Sequence, residues 1–290
     1  MNLQVGRVGK RHRLTFGIAA GMIALALYAA IVLASGTTAD GVLGQLGFTN
    51  SSVNMMNAEG LNLPGLVTID TSALPNRLYV ADEENSRVLG WRDTASFTNG
   101  APADLVIGQP GFTSSSLCNG VSARVSSNSL CYPWGVAVDG TGNLYVGDAG
   151  NSRVLEYTNP FKACNNGFPC AGGPANLVFG QLGNFNTNRC NIDTGGGNPT
   201  ANDLCYPWGV AVDVAGNLYV ADTANNRVLE YTAPLTPNTA ADTVFGQGGI
   251  FTTRIPNIGG VSANGLYYPY AVALDVAGRA ITKSCGSMTS

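Results

Sequence analysis

Histidine is almost absent from this sequence. The single histidine, His12, lies near the N-terminus, and none follows it. A histidine base, a Ser-His-Asp triad and a histidine-ligated zinc ion are therefore excluded from everything after residue 34. No other catalytic constellation stands out, so we expect a protein that is not an enzyme and that needs no cofactor or metal.

Charge is scarce as well. Charged residues make up 11% of the chain, against about a quarter in a typical globular protein. Removing residues 1–34 takes four of the 15 basic residues and none of the 18 acidic ones, which leaves a formal charge of −7. No cluster of Lys and Arg follows Arg13. Nucleic-acid binding needs a basic face, so DNA and RNA are not expected partners.

The N-terminus has the composition of a targeting segment. Four basic residues precede an apolar run without charge, Leu14–Ala34. The run is long enough to span a bilayer as a helix and longer than the usual core of a signal peptide, yet Val32–Ala34 also suits cleavage. We favour an uncleaved transmembrane anchor over a cleaved signal peptide. In both cases the basic end stays inside, so the remaining chain is membrane-anchored or secreted and lies outside the cytoplasm.

Repeats dominate the rest of the chain. Residues 131–157 and 205–231 are identical at 21 of 27 positions, and two weaker copies flank them. The first three copies each contain a strand-like element beginning with Pro, then Leu-Tyr-Val-(Ala/Gly)-Asp, then Arg-Val-Leu, and end in Gly-Gln, whereas the last copy has only the first element. The elements are short, rich in Val, Leu and Tyr, and bounded by Gly, Asn or Asp, which is typical of strands. We therefore predict an all-β fold of four-stranded antiparallel blades stacked around an axis.

The motifs Pro-x-Gly-Val-Ala-Val-Asp, Gly-Asn-Leu-Tyr-Val-Ala-Asp and Asn-x-Arg-Val resemble the NHL repeat. The resemblance covers about residues 39–278 and implies a β-propeller, commonly of six blades. The first copy departs from the pattern, since Gly65 stands where the others have an aromatic residue. The Gly-Gln signals are 64, 72 and 66 residues apart, well above the roughly 40 to 45 residues of a compact blade. We expect the excess to form loops.

The predicted blades do not complete a ring. Three complete blades lie between a partial first strand, Ala39–Gln45, and a lone strand over Pro269–Asp275. We therefore divide the chain into a targeting segment (1–34), propeller blades (35–278) and an aberrant tail (279–290). This ending indicates a truncated or frame-shifted reading of a longer parent. If the ending is genuine, the open strand edges pair with another chain or favour aggregation.

Seven cysteines in an exported chain favour disulfides. The second and third copies each carry two cysteines at matching positions, which the other copies lack, and this predicts Cys118–Cys131 and Cys190–Cys205. Cys164 and Cys170 are six residues apart and would pair locally, which leaves Cys285 unpaired. The alternative is a metal site, but the cysteine spacing matches no zinc pattern.

Two sets of polar residues recur in every complete blade and are interpreted as scaffold. An Asp precedes an Arg by five residues across a tight loop, which predicts a charge-assisted pair. A Gln ends each fourth element and is expected to form hydrogen bonds between blades or at strand edges. The pairs are Asp82 with Arg87, Asp148 with Arg153, and Asp222 with Arg227; the glutamines are Gln45, Gln109, Gln181 and Gln247.

Trp134, Trp208 and Tyr270 share one position at the start of the innermost strand. Propeller geometry gathers these strand starts and the cysteine-bearing loops on one rim. Aromatic rings on such a rim suit ligand recognition, although they could instead pack beneath their own disulfide-closed loops. We therefore predict a binding or interaction module for an unknown protein or glycan partner. The alternative is a calcium-dependent lactonase, since the fold also resembles the lactonase-type propellers that hold a hard metal in a central channel.

Overall fold

The computed structural model describes residues 39–51, 55–114, 118, 124–165, 167–237, 239–262, 264–275 and 280–284. The predicted targeting segment (1–34) lies outside this set, as do residues 285–290 of the predicted tail, including Cys285. No helix among the described residues is long and apolar enough to cross a membrane.

The described residues form four sheets and no α-helix, which confirms the all-β prediction. The first sheet contains β1 (Pro64–Asp70), β2 (Arg77–Asp82), β3 (Arg87–Trp91), β4 (Leu105–Ile107) and β8 (Cys170–Ala171). The second contains β5 (Pro133–Val138), β6 (Leu144–Asp148), β7 (Arg153–Tyr157) and β9 (Leu177–Phe179). The third contains β10 (Pro207–Val212), β11 (Leu218–Asp222), β12 (Arg227–Tyr231) and β13 (Thr243–Phe245), and the fourth contains β14 (Pro269–Leu274) and β15 (Ala280–Ser284).

Six short 3-10 helices connect the strands in the described part of the chain. They are Glu83–Asn85, Thr94–Ser96, Ala149–Asn151, Pro160–Ala163, Ile192–Thr194 and Thr223–Asn225. Three of them join the second and third strands of a blade, and each of those ends at a residue in the left-handed region: Ser86, Ser152 or Asn226.

The second and third sheets have the same antiparallel register, as expected for repeated blades. In the third sheet Pro207 lies opposite Asp222, which in turn lies opposite Arg227. The Asp and the Arg of each pair therefore sit at one end of their blade, beside the start of its first strand. We call this end the upper rim and the opposite end the lower rim.

First strands of successive blades approach so closely that glycine is required between them. A Cβ atom on Gly135 would lie 2.2 Å from the carbonyl oxygen of Trp208. A Cβ on Gly209 would lie 2.7 Å from Cα of Ala271 in the next first strand. Backbone atoms have little freedom to move away, so the Gly of Pro-x-Gly is fixed by blade packing rather than by a turn.

The hydrophobic core lies between neighbouring blades. One cluster joins buried residues of the first blade, such as Tyr79 and Ile107, to Val146 and Leu155 of the second. A separate cluster joins the second blade to the third, where the rings of Phe179 and Tyr231 are 5.2 Å apart. Burying both faces of a sheet removes apolar area from water, which is the main stabilising contribution of stacked blades.

The predicted partial strand over Ala39–Gln45 is wrong. Its described residues form no strand, only an isolated parallel bridge between Gly44 and Gly60. Gly44 has a φ of 85°, which would end an extended strand at Leu43, short of the predicted end at Gln45. The equivalent Gly180 has a φ of 89° and lies just beyond the last residue of β9.

The prediction that the last copy stops after its first strand is also wrong. Residues Ala280–Ser284 form β15, which pairs antiparallel with β14. Pro269 lies opposite Ser284 just as Pro207 lies opposite Asp222, so the second strand keeps the register of the repeat. Strand pairing uses the backbone, and it therefore survives the loss of the Leu-Tyr-Val-Ala-Asp sequence.

Candidate functional site

Each predicted Asp–Arg pair forms a buried ion pair at the upper rim. The Nε–H of the arginine donates to one carboxylate oxygen over 2.6 Å in the first blade and 2.7 Å in the second and third. Both side chains of every pair are fully buried. The other carboxylate oxygen accepts a backbone N–H from the loop before the first strand, as Asp148 does from Cys131 over 2.7 Å. The ion pair thereby fixes where the first strand begins.

The remaining donors of each arginine are also used by the protein. Arg153 donates to the carbonyl oxygens of Phe185, Ser126 and Ser129 at 2.6 to 2.9 Å. Burial raises the pKa of Asp148, while Arg153, an asparagine amide and the Cys131 N–H act in the opposite direction. The donors of this buried cluster are directed at other groups of the protein. We therefore interpret the cluster as a support of the upper rim and not as a ligand-binding site.

Glutamines of the Gly-Gln signals hold the loops of their own blade. Gln181 is fully buried, and its Nε2 donates to the carbonyl oxygens of Ser152 and Arg189, each over 2.8 Å. Its Oε1 accepts the backbone N–H of Arg189 at 3.2 Å. Gln247 makes the equivalent bonds to Asn226 and Ile255. These bonds join the turn between the second and third strands to the loop that follows the fourth.

Trp134 and Trp208 form a pair at the upper rim. Each is the second residue of an innermost strand, and their ring centroids lie 5.3 Å apart with the planes inclined by 32°. Both side chains are half-buried, and Tyr270 occupies the same position on β14. The Nε1–H of Trp134 is buried and has no hydrogen-bond partner. Close packing of the first strands therefore aligns residues that are 74 positions apart in sequence.

A second row of aromatic residues was not predicted from the sequence. Tyr132, Tyr206 and Tyr268 precede the first prolines of their blades, and their side chains are 36%, 50% and 48% exposed. All three have a φ of 47 or 48°, a left-handed conformation that is rare for a bulky residue. The sequence signal was the Tyr-Pro pair in the second, third and last copies, but this pair does not predict the left-handed backbone conformation that exposes the ring.

Each of these tyrosines also connects two blades. The backbone N–H of Tyr268 donates to Oδ1 of Asn226 in the preceding blade over 2.9 Å. Tyr132 and Tyr206 make longer contacts, of 3.4 and 3.5 Å, to the hydroxyls of Ser86 and Ser152. The acceptors are the residues that end the 3-10 turns, so the turn of one blade holds the strand start of the next.

Three disulfides close loops of the described chain, with the pairing that the sequence predicts. Cys118–Cys131 and Cys190–Cys205 close the loops that precede β5 and β10, the first strands of the second and third blades, at the upper rim. Cys164–Cys170 closes the connection between β7 and β9. Disulfides are typical of proteins in oxidising, extracytoplasmic compartments.

No group of three or more carboxylate, cysteine or histidine side chains that could hold a metal ion occurs among the described residues. Asp139 and Asp213 directly follow the first strands β5 and β10 and are engaged in turns. Asp213 accepts the backbone N–H groups of Ala215 and Asn217 at 2.9 Å each. The carboxylates that recur in every blade thus serve local backbone structure.

The model of the NHL repeat matches residues 130–157 and 204–231. These are the second and third copies, and the chain therefore carries NHL repeats arranged as blades of a β-propeller. No curated protein sequence matches the chain.

Among solved structures, a streptogramin B lyase is similar with a TM-score of 0.39 and 9% identity, over 76% of this chain and 48% of that one. Hydrazine synthase of Kuenenia stuttgartiensis has a TM-score of 0.44 and 11% identity, over 83% and 46%. Virginiamycin B lyase of Staphylococcus aureus has a TM-score of 0.36 and 10% identity, over 77% and 55%. The chain spans about half the length of these proteins.

Proposed function

We propose that this chain is an extracytoplasmic propeller module, secreted or held by a membrane anchor, that binds a partner through the aromatic residues of its upper rim. We call this surface the aromatic rim. It consists of Trp134, Trp208 and Tyr270 with the exposed residues Tyr132, Tyr206 and Tyr268. The partner is a glycan or the surface of another protein.

The observation that carries the proposal is the paired arrangement of Trp134 and Trp208. Two half-buried indole rings 5.3 Å apart form an apolar surface of fixed orientation. Trp and Tyr lose little conformational entropy on binding and are enriched at the energetic centres of interfaces.

The backbone of the tyrosines supports the same surface. A φ of 48° at Tyr206 is unfavourable for a residue with a side chain. Glycine or asparagine would adopt this conformation more readily. The same left-handed conformation occurs at Leu63, before the first strand of the first blade, so it belongs to the repeat, and in the three blades that follow it carries an exposed ring.

Export is supported by two independent features. Leu14–Ala34 contains no charge and follows four basic residues, and three disulfides lie in the described part of the chain. The anchor places the basic end inside and the aromatic rim outside the cytoplasm. An epitope tag after Ser290 that stays protected from external protease in intact cells would contradict this orientation.

The binding role is tested with the purified full chain and the double variant Trp134→Ala, Trp208→Ala. Both proteins are tested on a glycan array. Both are also used as bait to capture cell-surface proteins, which are identified by mass spectrometry. We expect at least a tenfold loss of binding in the double variant, because each truncation at an interface centre costs about 2 kcal/mol or more. The class of ligand that is lost identifies the partner as glycan or protein.

Phe168→Ala is the matched control, because Phe168 is an exposed aromatic residue of the lower rim, 38% accessible. It should bind as the unmodified chain does. A double variant that folds normally, judged by circular dichroism and thermal melting, and that binds each captured partner unchanged contradicts the assignment of the aromatic rim.

A further inference from the structure

The first blade has one face that is covered over its outer strands and open over its innermost strand. On the side away from the second blade, buried residues of β2, β3 and β4 pack against Leu43 and Leu61. On the same side, Val67 and Ile69 of β1 are exposed. Side chains two residues apart in a strand point to one face, so these two form a continuous apolar surface. We call it the open face of β1.

The three blades that follow show that a contact is missing here. Val67 is 60% exposed, whereas the residues at its position in the repeat, Val136, Val210 and Val272, are 4%, 3% and 6% exposed. Each of those valines lies in an apolar cluster with residues of the preceding blade. Leu63, before β1, also has the left-handed backbone found before the other first strands. β1 is therefore built as a strand that follows another blade.

The segment before β1 supplies the outer edge of such a preceding blade. Leu43 precedes Gly44 as Ile107 precedes Gly108 at the end of β4. A Cβ atom on Gly44 would lie 2.8 Å from Leu61, and one on Gly108 would lie 2.6 Å from the equivalent leucine of the next copy. Ile107 and that leucine belong to the core between the first two blades. Leu43 and Leu61 thus cover the first blade as an outer edge would, without inner strands beside them in the described chain.

The fourth sheet has the complementary composition. Its described residues form the two inner strands, β14 and β15, and no third or fourth strand. Ala273 on β14 is exposed, whereas the equivalent Ala137 on β5 is buried in the cluster shared with the third blade. Phe245 of β13 is exposed as well, whereas the equivalent Phe179 is buried against a tyrosine on the third strand of the next blade. The described chain therefore has a second open face, on an incomplete sheet.

We propose that two copies of this chain close a ring head to tail, with the β14–β15 sheet of each copy packed on the open face of β1 in the other. Each junction then contains a composite blade, whose inner strands come from one copy and whose outer edge, at Leu43 and Leu61, comes from the other. Two chains with four sheets each supply eight blades, and closed propellers have about 4 to 8. A head-to-tail contact that closes in this way leaves no open face.

The two open faces fit each other because each lacks what the other has. A complete blade would collide with Leu43 and Leu61, whereas a sheet of two inner strands covers β1 and leaves them in place. Ala273 would contact Val67 as Ala137 contacts the next blade, and the contact removes apolar surface from water. Ala271 stands where β5 and β10 have their close-packed glycine. The junction between copies is therefore wider than the junctions within a chain, and the dimer is reversible.

The proposal is tested by measuring the mass of the purified full chain in detergent micelles, with light scattering after size-exclusion chromatography. We expect a dimer that dissociates on dilution. Val67→Lys should raise the dissociation constant by about tenfold or more, because it places an unpaired charge in an apolar junction. Val214→Lys is the matched control, since Val214 is exposed in the turn after β10. It should associate as the unmodified chain does, and thermal melting checks that both variants fold.

A mixing experiment tests the head-to-tail arrangement. Ala273→Lys should weaken the dimer as Val67→Lys does. A mixture of the two variants should form dimers with one chain of each, at concentrations where either variant alone is monomeric, because one unmodified junction remains.

Contact between two β1 faces would be insensitive to Ala273→Lys, and association through the apolar run Leu14–Ala34 would be insensitive to both substitutions. Either result overturns the proposal. A monomeric unmodified chain would leave the open face to a different partner, and a filament would show that the contact does not close; each also overturns it. Partner binding by the aromatic rim is measured separately and does not depend on these outcomes.

Discussion

Arg153 donates its Nε–H to Oδ2 of Asp148 over 2.7 Å, and neither side chain has any contact with solvent. The ion pair lies where β6 ends and β7 begins, and the same arrangement occurs in the two neighbouring blades. A pair in this environment is costly to break, because the surviving partner keeps its charge without water around it.

Asp148→Asn should therefore lower the free energy of unfolding by about 3–5 kcal/mol, as expected when one member of a buried ion pair is removed. Urea denaturation measures the loss. The exposed pair of Arg92 and Asp104 is the comparison, with side chains 57% and 25% accessible. Arg92→Gln should change stability by less than about 1 kcal/mol. Similar losses for the two variants would show that burial does not set the energy of the first pair.

Gly135→Ala tests the close approach of the first strands. The added Cβ would lie 2.2 Å from the carbonyl oxygen of Trp208, so the second and third blades would have to separate. Overpacking of this kind costs about 1–3 kcal/mol or more. Gly140→Ala, in a turn with nothing within 4 Å of the added atom, is the control. Thermal melting should distinguish the two, and an unchanged Gly135→Ala protein would argue against fixed spacing between blades.

Alkaline pH should destabilise the fold through its buried tyrosines. Burial raises the pKa of Tyr231 and, with hydrogen bonding to Glu230, raises that of Tyr219 to about 12. Above pH ~10 these residues ionise in the unfolded chain first, so stability falls as pH rises, by up to about 1.4 kcal/mol per pH unit for each such tyrosine.

Tyr231→Phe should reduce that slope. Its hydroxyl is buried without a hydrogen-bond partner, so the substitution should also leave neutral-pH stability unchanged or slightly raised. Tyr206→Phe, at a half-exposed ring, is the control and should leave the alkaline slope as it is. Urea midpoints between neutral pH and pH ~11 provide the measurement. If the urea midpoint falls equally with pH in the unmodified chain, in Tyr231→Phe and in Tyr206→Phe, ionisation of Tyr231 does not contribute to the alkaline loss of stability.

Tyr206→Gly should relieve backbone strain at the aromatic rim. A φ of 48° costs a residue with a Cβ about 1–2 kcal/mol, part of which the greater freedom of glycine in the unfolded chain offsets. We expect Tyr206→Gly to be more stable than Tyr206→Ala by up to about 1 kcal/mol in chemical denaturation. Both variants remove the ring and should weaken partner binding alike. If alanine is the more stable replacement, the strain does not exist.

Local sequence patterns predicted the elements that repeat. The first strands begin at Pro64, Pro133 and Pro207 as the motif indicates, and each Asp–Arg pair forms across its tight loop. These features depend on residues close together in the chain and occur several times, so each copy supports the others. The cysteine pairs were predictable for the same reason.

Features that occur once, or that join distant segments, were not predictable. The attachment of β8 to β4 brings together residues 65 positions apart, and no pattern in either strand encodes it. The exposure of Tyr132 depends on a backbone dihedral that its sequence neighbours do not specify. The pairing of β15 was missed because its sequence departs from the motif while its backbone does not.

The contacts from Ser86 to Tyr132, Ser152 to Tyr206 and Asn226 to Tyr268 all run in one direction along the chain. Each acceptor belongs to a blade that leaves the ribosome, or a translocation channel, before the blade that it holds. The blades are therefore joined in series, each turn to the next strand start, as well as through the apolar clusters between them. Because a hydrogen bond stabilises both of its partners, a defect at one such contact would weaken the two blades that it joins and leave the more distant ones less affected.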